Sequence, residues 1–331
     1  MPDPEATTVP PVLVGLDPEG PSEEAEALAR TLARAYGADV VLGTVFPIIN
    51  LRSRVHSRHY ERLLREEAER FLAGRVDRWS AGGAGVPVRS VVTGSPSAAR
   101  GLHVLARESE AGVVVVGPSR RHGAGLTFPG PMATRFAHGA PCPVAVALGG
   151  PAERLARIGV AFVPTDDGRA ALTAAAALAE RSDAILRVIS VTGPLPWLDV
   201  VQPSFDGDAL PELYAGHLAF ELQSAVDGLP DGLVVETETP AGDPVEVLAS
   251  ASAGLDLLVC GSRGHGPLGE VVLGSRTHAL LGAARCPVLV VPRAARGRGG
   301  RPHARESQSR SFSAYASGST PPATARAASS A

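Results

Sequence analysis

Along residues 12–148 the chain switches repeatedly between short β-branched apolar runs and longer stretches in which apolar residues recur every three or four positions. Strands alternating with helical crossovers in this way make a parallel sheet covered by helices on both faces. In the first half the pattern predicts strands over 12–16, 40–46, 86–92, 113–116 and 144–148, and helices over 22–36, 53–79, 97–107 and 132–138. Within 22–36, Ala25, Leu28, Ala29 and Leu32 fall on one helical face. The four valines of 113–116 leave no polar side, as a strand buried on both faces requires. The second half repeats the order, with strands near Ile158, Ile185, Leu233, Leu257 and Val288, so each half carries five.

The halves are copies of each other. ESEAGVVVVGPSR aligns with SAGLDLLVCGSRG and APCPVAVAL with ARCPVLVVP, a shift of 144 that pairs Gly117 with Gly261, Gly130 with Gly274 and Cys142 with Cys286. Near the front, 12–17 match 158–163 at a shift of 146. Solenoid repeats run about 20–50 residues, so a period this long is a duplicated domain. The joint falls at Gly149, Gly150 and Pro151, giving an expected domain over 1–150 and another over 151–292, each with its own sheet. The closing strands 144–148 and 288–291 are apolar and would be bare sheet edges unless covered, so they are expected to pair the domains within one chain or across a homodimer. From Arg293 onward the chain is rich in Arg, Gly, Ser and Ala with few large apolar residues, which predicts a disordered tail over 293–331.

Composition narrows the chemistry. The 331 residues, 44% apolar and 20% charged, have room for two ordinary domains. All 31 basic residues are Arg, and the absence of Lys excludes Schiff-base catalysis, the P-loop lysine and the kinase strand lysine. The net charge of −3 hides a basic tail of seven Arg against the single Glu306. No apolar run reaches the 18 or so residues of a membrane span, and no basic-then-apolar leader opens the chain, so a cytoplasmic protein is expected. Cys142, Cys260 and Cys286 lie in or beside apolar runs without Cys-x-x-Cys spacing, which predicts buried thiols rather than a zinc site or a disulfide framework.

The second half carries the one loop with legible chemistry. Val259, Cys260, Gly261, Ser262, Arg263, Gly264 and His265 leave a buried strand, pass Gly266 and Gly269, and reach Gly274 and Ser275 at the start of a helix. Glycines let successive N–H groups face one concavity and let a phosphate approach the backbone. The helix start adds unpaired N–H groups and the positive end of its dipole, and Ser275 a hydroxyl. The alternative is a plain connector with Ser275 as an N-cap.

These residues resemble the universal stress protein family, whose ATP-binding motif is Gly, two residues, Gly, nine residues, Gly, then Ser or Thr: Gly261, Gly264, Gly274 and Ser275 fit it without a gap. The ending Ala284, Arg285, Cys286, Pro287 and the valines after it is family-like, and the likeness extends over 11–148 and 156–292. It implies an α/β fold of two tandem Rossmann-like (adenine nucleotide alpha hydrolase-like) sandwiches, each a five-stranded parallel sheet of order 3-2-1-4-5 flanked by helices. It also implies an adenine nucleotide across the ends of the first and fourth strands, where open parallel sheets bind ligands. By the same resemblance Val191 and Arg276 join the binding set, the cofactor is ATP with or without Mg2+, and the role is regulatory, in the stress response, through a protein partner the sequence does not name.

The first half departs from the motif, with Arg120 at the second glycine and Pro131 at the Ser or Thr; both remove phosphate contacts, although Pro is acceptable as a first helical residue. Arg120, Arg121 and His122 read best as a solvated basic loop. Asp17 matches the acidic position that the family places beside the nucleotide, with an Asp-Pro turn as its plainer reading; its ungapped counterpart is Val163, unless a longer strand brings up Asp166. His56 and His59, three apart on an expected helix with eight Arg and five acids over 52–78, read as a solvated face, and His265 and His278 as loop histidines facing water. No Gly-x-Ser-x-Gly elbow and no grouping of Ser, His and Asp marks a catalytic group, so a non-enzymatic protein is expected, with slow ATP hydrolysis left open. Seven Arg with only Phe312 and Tyr315 are thin for specific nucleic-acid binding. Two other readings compete with nucleotide-dependent regulation: a nucleotide-independent interaction scaffold, and an adenylyl transferase or ATPase that would lack the usual histidine pair and lysine.

Overall fold

The structure, a computed structural model, describes residues 9–20, 22–48, 54–82, 85–118, 131–150, 153–193, 209–262 and 273–292. The tail expected to be disordered lies outside the described residues. In the first half the elements run β1 (Val12–Gly15), α1 (Glu23–Tyr36), β2 (Val40–Pro47), α2 (Arg54–Ala81), β3 (Val88–Ser95), α3 (Ala98–Glu108), β4 (Val113–Val116), α4 (Pro131–Ala137) and β5 (Val144–Val146). In the second they run β6 (Arg157–Ala161), α5 (Asp166–Ser182), β7 (Ile185–Ile189), α6 (Ala209–Val226), β8 (Val235–Glu238), α7 (Pro244–Ala251), β9 (Leu257–Gly261), α8 (Ser275–Ala283) and β10 (Val288–Val291). β3 reaches three residues further than the pattern suggests, because its pairing with β2 continues to Pro47 opposite Ser95.

The strands form one sheet, in the order β3-β2-β1-β4-β5-β10-β9-β6-β7-β8. Each half keeps the expected order 3-2-1-4-5, with every pairing inside it parallel. The expectation of two separate sheets is corrected by β5 and β10, which pair antiparallel, Val146 opposite Val288 and Val144 opposite Val290. All three residues of β5 and all four of β10 are buried, so neither could stay at a wetted edge. The edges left over are β3 and β8, which carry charged groups such as Arg89, Glu236 and Glu238.

Each face of this sheet has one apolar core that runs through both halves. On one side α1, α2, α5 and α6 bury Leu28, Leu32, Trp79, Leu172 and Leu222. On the other, α3, α4, α7 and α8 bury Leu105, Phe136, Leu248 and Leu280. The joint is locked as well. Gly149 has φ of 69°, and a Cβ there would fall 2.3 Å from the Arg285 carbonyl oxygen of the second half. All three cysteines are buried free thiols, as their sequence setting predicts.

Candidate functional site

The site lies where β6, β7 and β9 end and α5 and α8 begin. β9 is buried from Leu257 to Cys260 and delivers Gly261 to the rim of the sheet. Ser262 then fixes both ends of the glycine loop: its N–H donates to Val291 O at 3.0 Å, and its carbonyl accepts from Gly274 N–H at 2.9 Å. Gly274 is the N-cap of α8 and makes no side-chain cap, so Ser275, the first helical residue, is not spent as an N-cap. Thr277 Oγ1, one turn in, donates to Gly261 O at 3.2 Å and ties the helix start to the strand end.

On the facing side, Thr165 caps α5, its Oγ1 accepting from Gly168 N–H at 3.2 Å. The strand end is pressed onto this turn. A Cβ on Gly168 would lie 2.0 Å from Val163 O, and one on Gly261 would lie 2.9 Å from Asp167 O. Glycine at both positions is what lets β6, α5 and β9 converge.

These elements enclose a pocket of about 440 Å3, within the range of small-molecule sites. Its polar lining includes Thr165, Asp167, Ser190, Arg276 and Thr277; Ile189, Val191, Leu218, Leu248 and Leu280 supply apolar wall. Cys260 also lines it, and burial pushes its thiol up to about 12, which keeps it protonated and unreactive. Of the residues read from sequence, Val191, Gly261 and Arg276 meet here. Gly274 and Ser275 open the helix that carries Arg276, and Gly264 lies outside the described residues.

Sequence reasoning missed Asp167. The strand end stays in the ungapped register, so Val163 lines the pocket and Asp166 is exposed at the first residue of α5. The next residue turns inward, 8% exposed. Asp167, Ala171 and Ala175 are all buried residues of α5, and their spacing of four was the available signal.

The first half treats the equivalent ground differently. Asp17 is exposed, and its Oδ1 accepts from Glu19 N–H at 3.0 Å, so it serves its own turn. Pro131 is the first residue of α4, while Arg120 lies outside the described residues. Phe136 stands where the second half has Leu280 and is fully buried, with its carbonyl 2.7 Å from His103 Nε2. His278 is exposed and His59 Nδ1 is 3.0 Å from Arg62 Nη2, while His265 lies outside the described residues. Among the described residues no three His, Cys, Asp or Glu side chains gather as metal ligands do, and no helix is long and apolar enough to cross a membrane.

A family model described as the universal stress protein family matches residues 9–147 and 155–292. A universal stress protein of Mycobacterium tuberculosis is 33% identical over 136 residues, which are 39% of this chain and 47% of that protein, so the match spans about half of that relative's length. One from Thermus aquaticus is 31% identical over 137 residues, 40% of this chain and 95% of that protein. The crystal structure of a universal stress protein from Archaeoglobus fulgidus shares the fold at 18% identity, with a TM-score of 0.61 over 87% of this chain and 97% of that one.

Proposed function

The chain belongs to the universal stress protein family, and we propose that within it the chain is an ATP-binding regulatory protein of the stress response, holding one nucleotide in its second half. The observation that carries this reading is the pocket of about 440 Å3 on which Val191, Gly261 and Arg276 converge beside the open start of α8. An apolar wall suits a purine ring. Arg276, the Ser275 hydroxyl and the unpaired N–H groups of the helix start suit phosphates. In this reading any accompanying Mg2+ is held by the triphosphate oxygens. The bound nucleotide biases contacts with a protein partner, the setting is cytoplasmic, and ATP turnover is slow or nil. The two matched segments then act as domains 1–150 and 151–292, followed by a tail from 293.

Affinity should be micromolar rather than nanomolar, since no Lys is present and Val163 has no side-chain acceptor. Each missing hydrogen bond is worth roughly 0.5–1.5 kcal/mol, or up to about tenfold in Kd. Isothermal titration calorimetry of the full chain with ATP, beside the double variant Gly264→Arg/Ser275→Pro, tests the reading. The variant copies the first half into the second, and proline is compatible with a first helical position. One site per chain, lost in the variant, is the expected result. Two sites would place a nucleotide in the first half too, and no heat at millimolar ATP would overturn the reading in favour of a nucleotide-independent scaffold.

A further inference from the structure

Asp167 is a carboxylate 8% exposed, lining the pocket, with no hydrogen-bond or ion-pair partner among the described residues. Its carboxylate is left for whatever enters the cavity, and the start of α5 favours a negative charge there. Ser190, 1% exposed and also lining the pocket, likewise has no side-chain partner among the described residues, whereas its first-half counterpart Thr44 donates to Leu16 O at 2.7 Å. Two buried polar groups are thus left facing one cavity.

The position of Asp167 limits what it can receive. It is packed against Gly261 at the root of the glycine loop, where a Cβ on Gly261 would meet Asp167 Cβ at 3.0 Å. A carboxylate repels phosphate oxygens, so it must face a neutral donor group adjoining them. In a nucleotide that group is the ribose, whose vicinal 2′- and 3′-hydroxyls present two O–H donors to two carboxylate oxygens. Acidic residues in other dinucleotide-binding folds read the ribose in this manner. We infer that Asp167 holds the ribose diol of the bound nucleotide and makes the pocket selective for ribonucleotides over their deoxy forms. This inference rests on the nucleotide reading above and assigns to Asp167 a task that Val163 cannot perform.

The test is calorimetric titration of the full chain and of Asp167→Asn with ATP, 2′-deoxy-ATP and 2′,3′-dideoxy-ATP, with thermal melting as the check on folding. A site built to bond a hydroxyl rejects the analogue that lacks it, and hydrogen bonds to charged groups are the strong ones. The wild-type chain should therefore lose about tenfold or more in affinity from ATP to the dideoxy nucleotide. In Asp167→Asn that ladder should flatten, with ATP weakened about ten- to a hundredfold and the dideoxy nucleotide changed by less than about threefold. If the variant does not fold, the wild-type ladder decides alone. Equal wild-type affinity for ATP and the dideoxy nucleotide overturns the inference and leaves the nucleotide reading standing. Absence of binding to all three overturns both.

Discussion

Adding one methyl group to Gly168 should unmake the wall of the pocket, while the same change at Gly74 should stabilise the protein. In a helix, Gly→Ala ordinarily stabilises by about 0.5–1 kcal/mol because glycine loses more backbone freedom on folding. Gly74 in the middle of α2 is exposed, and a Cβ there meets nothing within 4 Å, so the full gain is expected. At Gly168, the third residue of α5, the new carbon falls 2.0 Å from Val163 O, 2.9 Å from Val163 N and 3.0 Å from Val163 C. Carbon atoms pack best about 3.5–4.0 Å apart, and all three obstructing atoms are backbone. Either α5 or the turn at 163–165 must shift. Overpacking of this kind costs about 1–3 kcal/mol, and displacing the turn weakens the cap that Thr165 gives Gly168 N–H, worth about 0.5–2 kcal/mol. Net of the helix gain, Gly168→Ala should lose about 1–4 kcal/mol. Urea unfolding followed by far-UV circular dichroism measures both variants against the parent, and under the proposed function ATP affinity should fall in Gly168→Ala but not in Gly74→Ala. A Gly168→Ala protein as stable as the parent, alongside a stabilised Gly74→Ala, would refute the close convergence of β6 and α5.

Gly149→Ala combines a positive φ with a Cβ 2.3 Å from Arg285 O, so thermal melting should show a loss of about 2–4 kcal/mol and no gain from reduced chain entropy. The cysteines give a pH dependence. Burial raises Cys142, Cys260 and Cys286 from 9.0 to about 12, with the Asp256 charge adding to the effect at Cys286. Between those values the folded chain holds protons that the unfolded chain releases, so stability is full below about pH 9 and falls as pH climbs toward 12. Melting temperatures measured from pH 8 to 11 should decline, and the decline should be shallower once the cysteines are replaced by alanine, even though burial also raises Tyr36.

The strand order was legible because short apolar runs separated by helical spacing leave few topologies for a parallel sheet. The antiparallel seam was legible only as an alternative. Apolarity at 144–148 and 288–291 says that these edges must be covered, but not whether by the same chain. The candidate site is legible where it is contiguous, with Gly261 and Arg276 lining the cavity and Gly274 and Ser275 opening the helix beside it. It is not legible where it is assembled from separate elements, since Ser190 follows β7, Leu218 comes from α6 and Leu248 from α7. Asp167 escaped for another reason. The strand end offers Val163 or Asp166, whereas the inward side chain is set by the phase of the helix that follows.

The two halves use equivalent ground differently, and the difference follows from what each does with its polar and large residues. In the first half Thr44 Oγ1 bonds Leu16 O, Asp17 closes its own turn, Phe136 is fully buried and Leu102 stands 3.0 Å from where a Cβ on Gly15 would be. Those groups are spent on the fold. In the second half the corresponding positions hold Ser190, Val163, Leu280 and Leu248 around a cavity. Unfilled volume forfeits dispersion contacts, and a domain with a small core of its own has little stability to forfeit. Here the cores on both faces of the sheet continue across the β5–β10 seam. The cavity in the second half is therefore carried by packing shared with the first, and the sequence differences between two copies of one fold exchange core contacts for open volume.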